Sequence, residues 1–436
     1  MVLSKPATSP RGSSAAAAPA ARRRVLSRPL AFWLVAVAFA VTMFGTTLPT
    51  PLYVLYQEEL GFAEPVLTAI FAVYAAGVLA ALLLFGRASD QLGRRRMLLV
   101  GLACAALSAV AFLLDQGLTL LILGRLLSGL SAGIFTGTAT AALVDLARPG
   151  QGRRATLVAT TSTMGALGLG PLVAGGLAQF APLPLRLPYW VDLGLILLAI
   201  LAVWAMPETV DVPEQPRLRI SRPDLPPEVR PVFIRAATAG FAGFAVLGLF
   251  SAVAPSFLLD LLHEPSHALS GAVAFTVFAA SALGQATFAR RFGHTALAAG
   301  CVGLIVGMGL LAAGLAATSL ALVIAAAIIA GLGQGLCMRA GLEAVNSHAP
   351  AQRRAGVAST FFIVMYVGIS VPVIGVGIAA TRLGLQTAAI ASSIAVAAVA
   401  AVALVTTLIP APTRTTAGPP AGTRGCEIPA SGGVGL

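Results

Sequence analysis

Charge is scarce in this sequence. Only 10% of the 436 residues are Asp, Glu, Lys or Arg, against roughly 25% in ordinary soluble domains. Hydrophobic residues make up 58%, and the mean hydropathy is +0.91. An aqueous core cannot absorb that much apolar surface, so the composition excludes a soluble globular fold and points to lipid as the solvent. Cysteine is scarce too. Cys104, Cys301, Cys337 and Cys426 form no CxxC or CxxxC pair, which excludes a disulfide framework and a zinc motif. No G-x-x-x-x-G-K-[S/T] loop occurs, so ATP is not expected as a direct energy source. No nucleophile–base pair is evident, and His263, His267, His294 and His348 all lie in or beside loops. Enzyme chemistry, a metal and a cofactor are therefore not expected.

What charge there is leans basic, at 28 Lys and Arg to 16 Asp and Glu. The arginines sit in short clusters between apolar runs, with no basic face studded with aromatics. That excludes nucleic acid as a partner. The apolar runs, at 30–56, 65–85, 97–115, 117–145, 155–179, 187–206, 232–259, 267–288, 295–316, 318–346, 355–380 and 384–409, are each long enough to cross a ~30 Å hydrocarbon layer as a helix. The first follows Arg22, Arg23 and Arg24 but is too long for a signal peptide, and reads as an uncleaved helix. Every inter-run loop with more than one base falls on the side of the N-terminus, including Arg94–Arg96, Arg153–Arg154 and Arg353–Arg354. Positive loops stay inside, so both termini are expected in the cytoplasm, and most of the net charge of +12 is topology.

The organisation expected is a disordered cytoplasmic tail over 1–28, a six-helix bundle over 29–207, a polar, Pro-rich cytoplasmic linker over 208–230, a second bundle over 231–410, and a second disordered cytoplasmic tail over 411–436. The halves repeat at about 200 residues. Gln151-Gly-Arg-Arg-Ala155 parallels Gln352-Arg-Arg-Ala355, Gly129 and Gly133 parallel Gly331 and Gly335, and Gly93 parallels Gly293. Internal symmetry of this kind marks transporters built from two halves around a midplane site. The fold class expected is thus an all-α membrane protein of twelve transmembrane helices in two pseudo-symmetric six-helix bundles.

Between the second and third runs lies GRASDQLGRRRMLLVG, residues 86–101. This loop, in that place and within a 6+6 repeat, resembles the G-x-L-a-D-r-x-G-r-k/r signature of the major facilitator superfamily. It matches at Gly86, Asp90, Gly93, Arg94 and Arg95, with Ala88 where Leu is usual. The resemblance covers about residues 30–409. It implies that Gly86, Asp90, Gly93 and Arg94 form a conformational latch, with Asp90 reaching the start of the eleventh span to hold the inside closed. It also implies a charge network of Arg87 and Arg94 with Asp145 and Glu208, and gives Arg125, four residues before Gly129, a role in proton coupling or anion contact. Gly170, Pro171 and Gly175 in the fifth span resemble the G-P-x-x-G-G motif of drug and metabolite antiporters, departing at Ala174. Pro372 in the eleventh span repeats the theme, and these residues are expected to bend helices at the interface of the halves.

Polar and aromatic residues in otherwise apolar runs are candidates for a substrate cavity: Thr46, Thr47, Tyr53, Tyr74, Gln285, Gln334 and Tyr366. Leu48-Pro-Thr-Pro-Leu52 suggests a broken first helix. Arg339 and Glu343, four apart, can meet on one helix face. Asp192, near the start of the sixth span, reads as a helix N-terminal acid in preference to a proton site. No acid lies in the middle of the first span, where many drug:proton antiporters carry one. The expectation is a monomeric, multi-pass transporter of the cell membrane. It exports small amphipathic or drug-like molecules by alternating access, coupled to protons. The alternative is a proton-linked importer of a sugar or organic acid; a membrane-embedded receptor or enzyme stands third.

Overall fold

The computed structural model describes residues 26–62, 64–86, 88–114, 117–213, 225–260, 266–350 and 353–409. The tails expected over 1–28 and 411–436 lie outside these apart from residues 26–28, as do Arg87 and residues 214–224 of the linker. Among the described residues twelve helices are long and apolar enough to span a membrane. They are span 1, Arg28–Leu60; span 2, Pro65–Phe85; span 3, Arg94–Leu114; span 4, Leu118–Leu146; span 5, Gly152–Phe180; and span 6, Leu187–Trp204. The second half holds span 7, Arg230–Ala252; span 8, His267–Thr287; span 9, Ala296–Ala316; span 10, Leu320–His348; span 11, Gly356–Leu383; and span 12, Leu385–Leu408. The reason is solvent: hydrocarbon offers no partner for a free N–H or C=O, and a helix satisfies both internally.

Span 1 is broken where its prolines predict. A 3-10 turn occupies Thr50–Leu52, closed by Leu52 N–H donating to the Pro49 carbonyl at 3.0 Å. Pro49 and Pro51 lack the N–H groups that a continuous helix would offer to the Gly45 and Thr47 carbonyls. The prolines of spans 5 and 11 behave differently: Pro171 and Pro372 sit inside unbroken helices.

Two large hydrophobic cores form, with two smaller clusters beside them. One runs from Ala31 to Met206 and takes in only Tyr366 from the other half. The second runs from Ala239 to Ala403 and takes in only Met164 from the first. Within each, glycine lets backbones touch, and in the same register. A Cβ at Gly129 or Gly133 would land on the carbonyls of Tyr74 and Val78, tying span 4 to span 2. At Gly331 and Gly335 it would land on those of Val277 and Ser281, tying span 10 to span 8. Gly170 meets the Phe44 carbonyl and Gly368 that of Phe241 in the same way, pairing span 5 with span 1 and span 11 with span 7. The sequence repeat is thus a repeat of backbone contacts.

The bundle has two ends. At the terminal end, where the chain enters span 1, Arg28 Nη2 donates to the Asp145 carbonyl at 2.8 Å and Leu26 N–H to that of Ala205 at 3.5 Å. At the far end the halves are shut against each other. Gly175 of span 5 lies on the His267 carbonyl, Gly271 of span 8 on the Pro171 carbonyl, and Gly377 of span 11 on the Thr68 hydroxyl of span 2. Gln179 Oε1 accepts from His267 N–H at 3.0 Å across the same seam. The terminal end is looser, with Arg153 and Glu343 facing across it at 3.9 Å and both largely exposed. We expect Gly129→Val and Gly331→Val to destabilise the protein by about 1–3 kcal/mol each, the cost of overpacking. Thermal unfolding in detergent measures it, and equal losses at the two sites would reflect the repeated register.

Candidate functional site

A cavity of about 90 Å³ lies between the halves at mid-depth. Spans 1, 2 and 4 line it from one half with Thr46, Thr47, Tyr74 and Arg125; spans 7, 8 and 11 line it from the other with Phe244, Gln285 and Tyr366. It shares Thr160, Gln285 and Met338 with a second space of about 320 Å³ at the terminal end. The two form one route from mid-membrane to the terminal face, blocked at the far end by the glycine contacts. Pockets for drug-sized ligands are roughly 300–1,000 Å³, so the inner chamber takes only part of such a molecule until the halves part.

Arg125 is the charge in this wall. Only 3% exposed, it donates from Nη1 to the Thr46 carbonyl at 2.7 Å. Its guanidinium lies 4.5 Å from the Tyr74 ring centre, 5.7 Å from Phe71 and 5.9 Å from Tyr53. A cation held against aromatic faces is stabilised by the ring quadrupoles, which offsets part of the cost of burying it at bilayer depth. Its Nε has no partner among the described residues.

Five of the seven expected cavity residues, Thr46, Thr47, Tyr74, Gln285 and Tyr366, line the chamber. The other two do not. Tyr53 sits behind it, fully buried beneath Arg125. Gln334 points into the span 8–span 10 seam, where its Oε1 accepts from the Ser281 hydroxyl. A polar residue on an apolar helix can face a neighbouring helix as readily as a cavity, and position along the sequence does not separate the two. Thr136, Thr140, Thr160 and Thr163 also line the wall and were not expected. Their spacing of three or four was the available signal. Around Gln285 span 8 passes through a π-helical turn, Gly284–Phe288. Such a turn alters the carbonyl pairing, and the Gln285 carbonyl accepts from Arg339 Nη1. Glu343, expected to meet Arg339, faces Arg153 across the halves.

Asp192 corrects the sequence reading. It does not cap span 6: Arg186 holds the N-cap position without a side-chain bond. Asp192 lies further in, 5% exposed, with Oδ1 unpartnered among the described residues. It packs on Gly45 of span 1 so closely that a methyl group there would come within 2.6 Å of Oδ2.

At the terminal end Arg94 organises the signature loop. Its side chain reaches Asp90 at 2.6 Å, the Ser89 hydroxyl at 2.5 Å and Asp145 at 3.2 Å. Glu208 accepts from the backbone N–H of Arg94 at 2.7 Å and of Arg95 at 3.2 Å. A carboxylate on the open N–H groups of a helix start is favoured by both hydrogen bonding and the helix dipole. Gly93 allows this approach. Its φ is +98°, and a Cβ would come within 2.5 Å of Glu208 Oε2. Asp145, Glu208 and Arg94 thus come together, all within the first half, while Arg87 lies outside the described residues. Asp90 is half exposed and its ion-pair partner is Arg94; among the described residues no ion pair joins it to span 11.

Gly170 and Gly175 serve as close-contact points, the first within one half and the second across the far seam. In span 11 Gly377, five residues past Pro372, lies on Thr68 of span 2, and Tyr366 packs into the core of the first half.

Two six-helix halves closed at one end over a mid-membrane cavity are the architecture of membrane transporters built from repeats. The sequence pattern of the Major Facilitator Superfamily matches residues 35–372, and the chain belongs to that family, a family of transporters and not of enzymes. An MFS-type transporter of Burkholderia pseudomallei is 30% identical over 348 residues, covering 76% of this chain and 81% of that one. The triacylglyceride transporter of Mycolicibacterium smegmatis is 30% identical over 217 residues, covering 48% of this chain and 36% of its own length. This chain thus spans about a third of the length of that relative. Among solved structures, a bacterial homologue of the human lysosomal transporter Spinster, inward-facing and unoccupied, superposes with a TM-score of 0.67 at 15% identity, over 87% of this chain and 97% of that one.

Removing the Glu208 carboxylate uncovers two amides at the start of span 3. We expect Glu208→Ala to cost about 1–3 kcal/mol and to speed hydrogen exchange at the Arg94 and Arg95 amides; unchanged protection of both would exclude the cap.

Proposed function

We propose that the protein exports small amphipathic or drug-like molecules from the cytoplasm across the cell membrane, driven by proton entry, as a monomer in the drug and metabolite antiporter branch of its family. The observation that carries this is the chamber itself. Aromatic and aliphatic side chains with several threonines and one buried cation line it, a surface suited to an apolar body with a polar or anionic end. The relative that moves triacylglycerides points the same way, toward lipophilic cargo. The clustering of arginines on terminal-end loops supports a cytoplasmic terminal face, so the state described here is inward-open and ready to load from inside.

In this reading Arg125 anchors the polar end of the cargo, and Asp90 is the latch. When the halves rock shut at the terminal end, Asp90 exchanges its local partner for the start of span 11. That contact exists only in the outward-open state, so it sets the balance between the two states.

The test begins with a panel of drugs, dyes and fatty amphiphiles on a strain lacking the gene, to find compounds whose toxicity rises. For such a compound in proteoliposomes, flux by the wild type should follow an imposed pH gradient, and Arg125→Ala should lower it about 10-fold or more, since charged hydrogen bonds are worth roughly 1.5–3 kcal/mol. Full flux by Arg125→Ala, or flux indifferent to the gradient, sinks the coupled reading. Asp90→Asn should raise thiol labelling of a cysteine placed at Thr160, on the terminal-side route, by favouring the inward-open state; equal labelling rates would remove the latch role.

A further inference from the structure

Among the described residues Arg125 and Asp192 are the only buried charged side chains. They come from different helices, spans 4 and 6, and flank consecutive residues of span 1. Arg125 holds the Thr46 carbonyl, and Asp192 lies against Gly45. Each keeps one polar atom without a partner, Nε on the arginine and Oδ1 on the aspartate. Buried polar atoms of a settled core are almost always paired, so two orphans of opposite kind beside one dipeptide mark an unfinished interaction.

We propose that Asp192 is the proton-binding site of this transporter and that Arg125 is its counter-ion in the unprotonated state. The proposal rests on the proton-coupled reading above. It supplies the acid that span 1 lacks, from across the span 1–span 6 contact that Gly45 makes possible. With the proton bound, Asp192 is neutral and tolerates its apolar surroundings, and Arg125 remains on the Thr46 carbonyl against Tyr74. On release, the O–H bond breaks, the proton passes to water, and a carboxylate is left inside the bundle. Such a charge needs a paired cation, and Arg125 is the buried one among the described residues, bonded to span 1 one residue along from Gly45. Its guanidinium then turns from the Thr46 carbonyl toward Asp192, across a backbone weakened by Pro49 and Pro51. Because Thr46 and Arg125 both line the chamber, proton occupancy changes the wall the cargo meets.

The groups around Asp192 fit this role. Span 3 brings Cys104 as its titratable side chain within the membrane, span 1 brings Tyr53 and Tyr56, and span 5 brings arginines only at its terminal end. Tyr189, one turn before Asp192, shares a hydroxyl contact of 3.3 Å with Tyr56 and stacks on Phe112 at 4.7 Å. None of these supplies a second cation. Asp192 is five residues past Leu187, roughly 7.5 Å of helix rise from the far end of span 6, so it takes its proton from that side when the halves open there.

The experiment is pH-difference infrared spectroscopy of the full-length protein in liposomes, with no cargo added. We expect a protonated-carboxyl band that titrates in the wild type, shifts on carboxyl-¹³C aspartate labelling, and is lost in Asp192→Asn. In Arg125→Gln the band should persist at pH values where the wild type has lost it. A wild type without such a band, or a band that survives Asp192→Asn, overturns the site; if Asp192→Asn fails to fold, Asp192→Glu should keep a protonated-carboxyl band that no longer shifts on aspartate labelling, and a band that still shifts overturns the site. Identical titration in Arg125→Gln overturns the pairing. Wild-type transport that ignores a pH gradient would end the coupled reading, whereas the band would still report whether Asp192 binds a proton.

Discussion

Close backbone contact at glycine is the constraint on which this fold depends. Lipid removes the hydrophobic drive that assembles soluble helices, so spans must be held by packing and by the few polar bonds they share. In this protein that packing is concentrated where Gly129 and Gly133 meet span 2 and where Gly331 and Gly335 meet span 8. The far end is sealed by the same means, through Gly175, Gly271 and Gly377. Glycine seams have little side-chain interlock across the halves, so they can part and re-form as surfaces. A transporter that rocks needs this property in its closing face.

The two ends solve different problems. At the far end, Gly175 and Gly271 lie on backbone carbonyls and Gly377 on the Thr68 hydroxyl. At the terminal end, Arg94, Asp90, Asp145 and Glu208 build a polar cluster that ties the signature loop to the starts and ends of three spans. Between them, one arginine and one aspartate are buried on either side of span 1 at its weakest point. The helix loses donors at Pro49 and Pro51, Thr47 bonds to the Leu167 carbonyl of span 5 at 2.8 Å, and Gly170 presses on Phe44. Span 1 is therefore where any change in charge state inside the first half can be passed to the cavity.

Much of this was legible in the order of residues. Twelve apolar runs, the 200-residue repeat and the placement of arginines follow from the solvent: lipid demands long apolar helices and penalises charge, so charge is confined to loops where it can be read directly. The break at Pro49 and Pro51 follows from missing N–H groups. Arg125 stood out because a charge in an apolar run is costly.

Three-dimensional packing alone decided which polar residues meet. Tyr53 and Gln334 look like Tyr74 and Gln285 along the chain, yet the first pair packs between helices and the second lines the chamber, because helix rotation is set by neighbouring spans. Asp192 reads as a helix-end acid by position and is a buried carboxylate by structure, since Gly45 of a distant span leaves it room. The sequence by itself determined that this chain is a two-fold repeated helical transporter, because membrane solvation acts on each run separately. Which end is open, and that Asp192 and Arg125 share one stretch of span 1, only the tertiary structure decided, because those contacts join helices far apart in the chain.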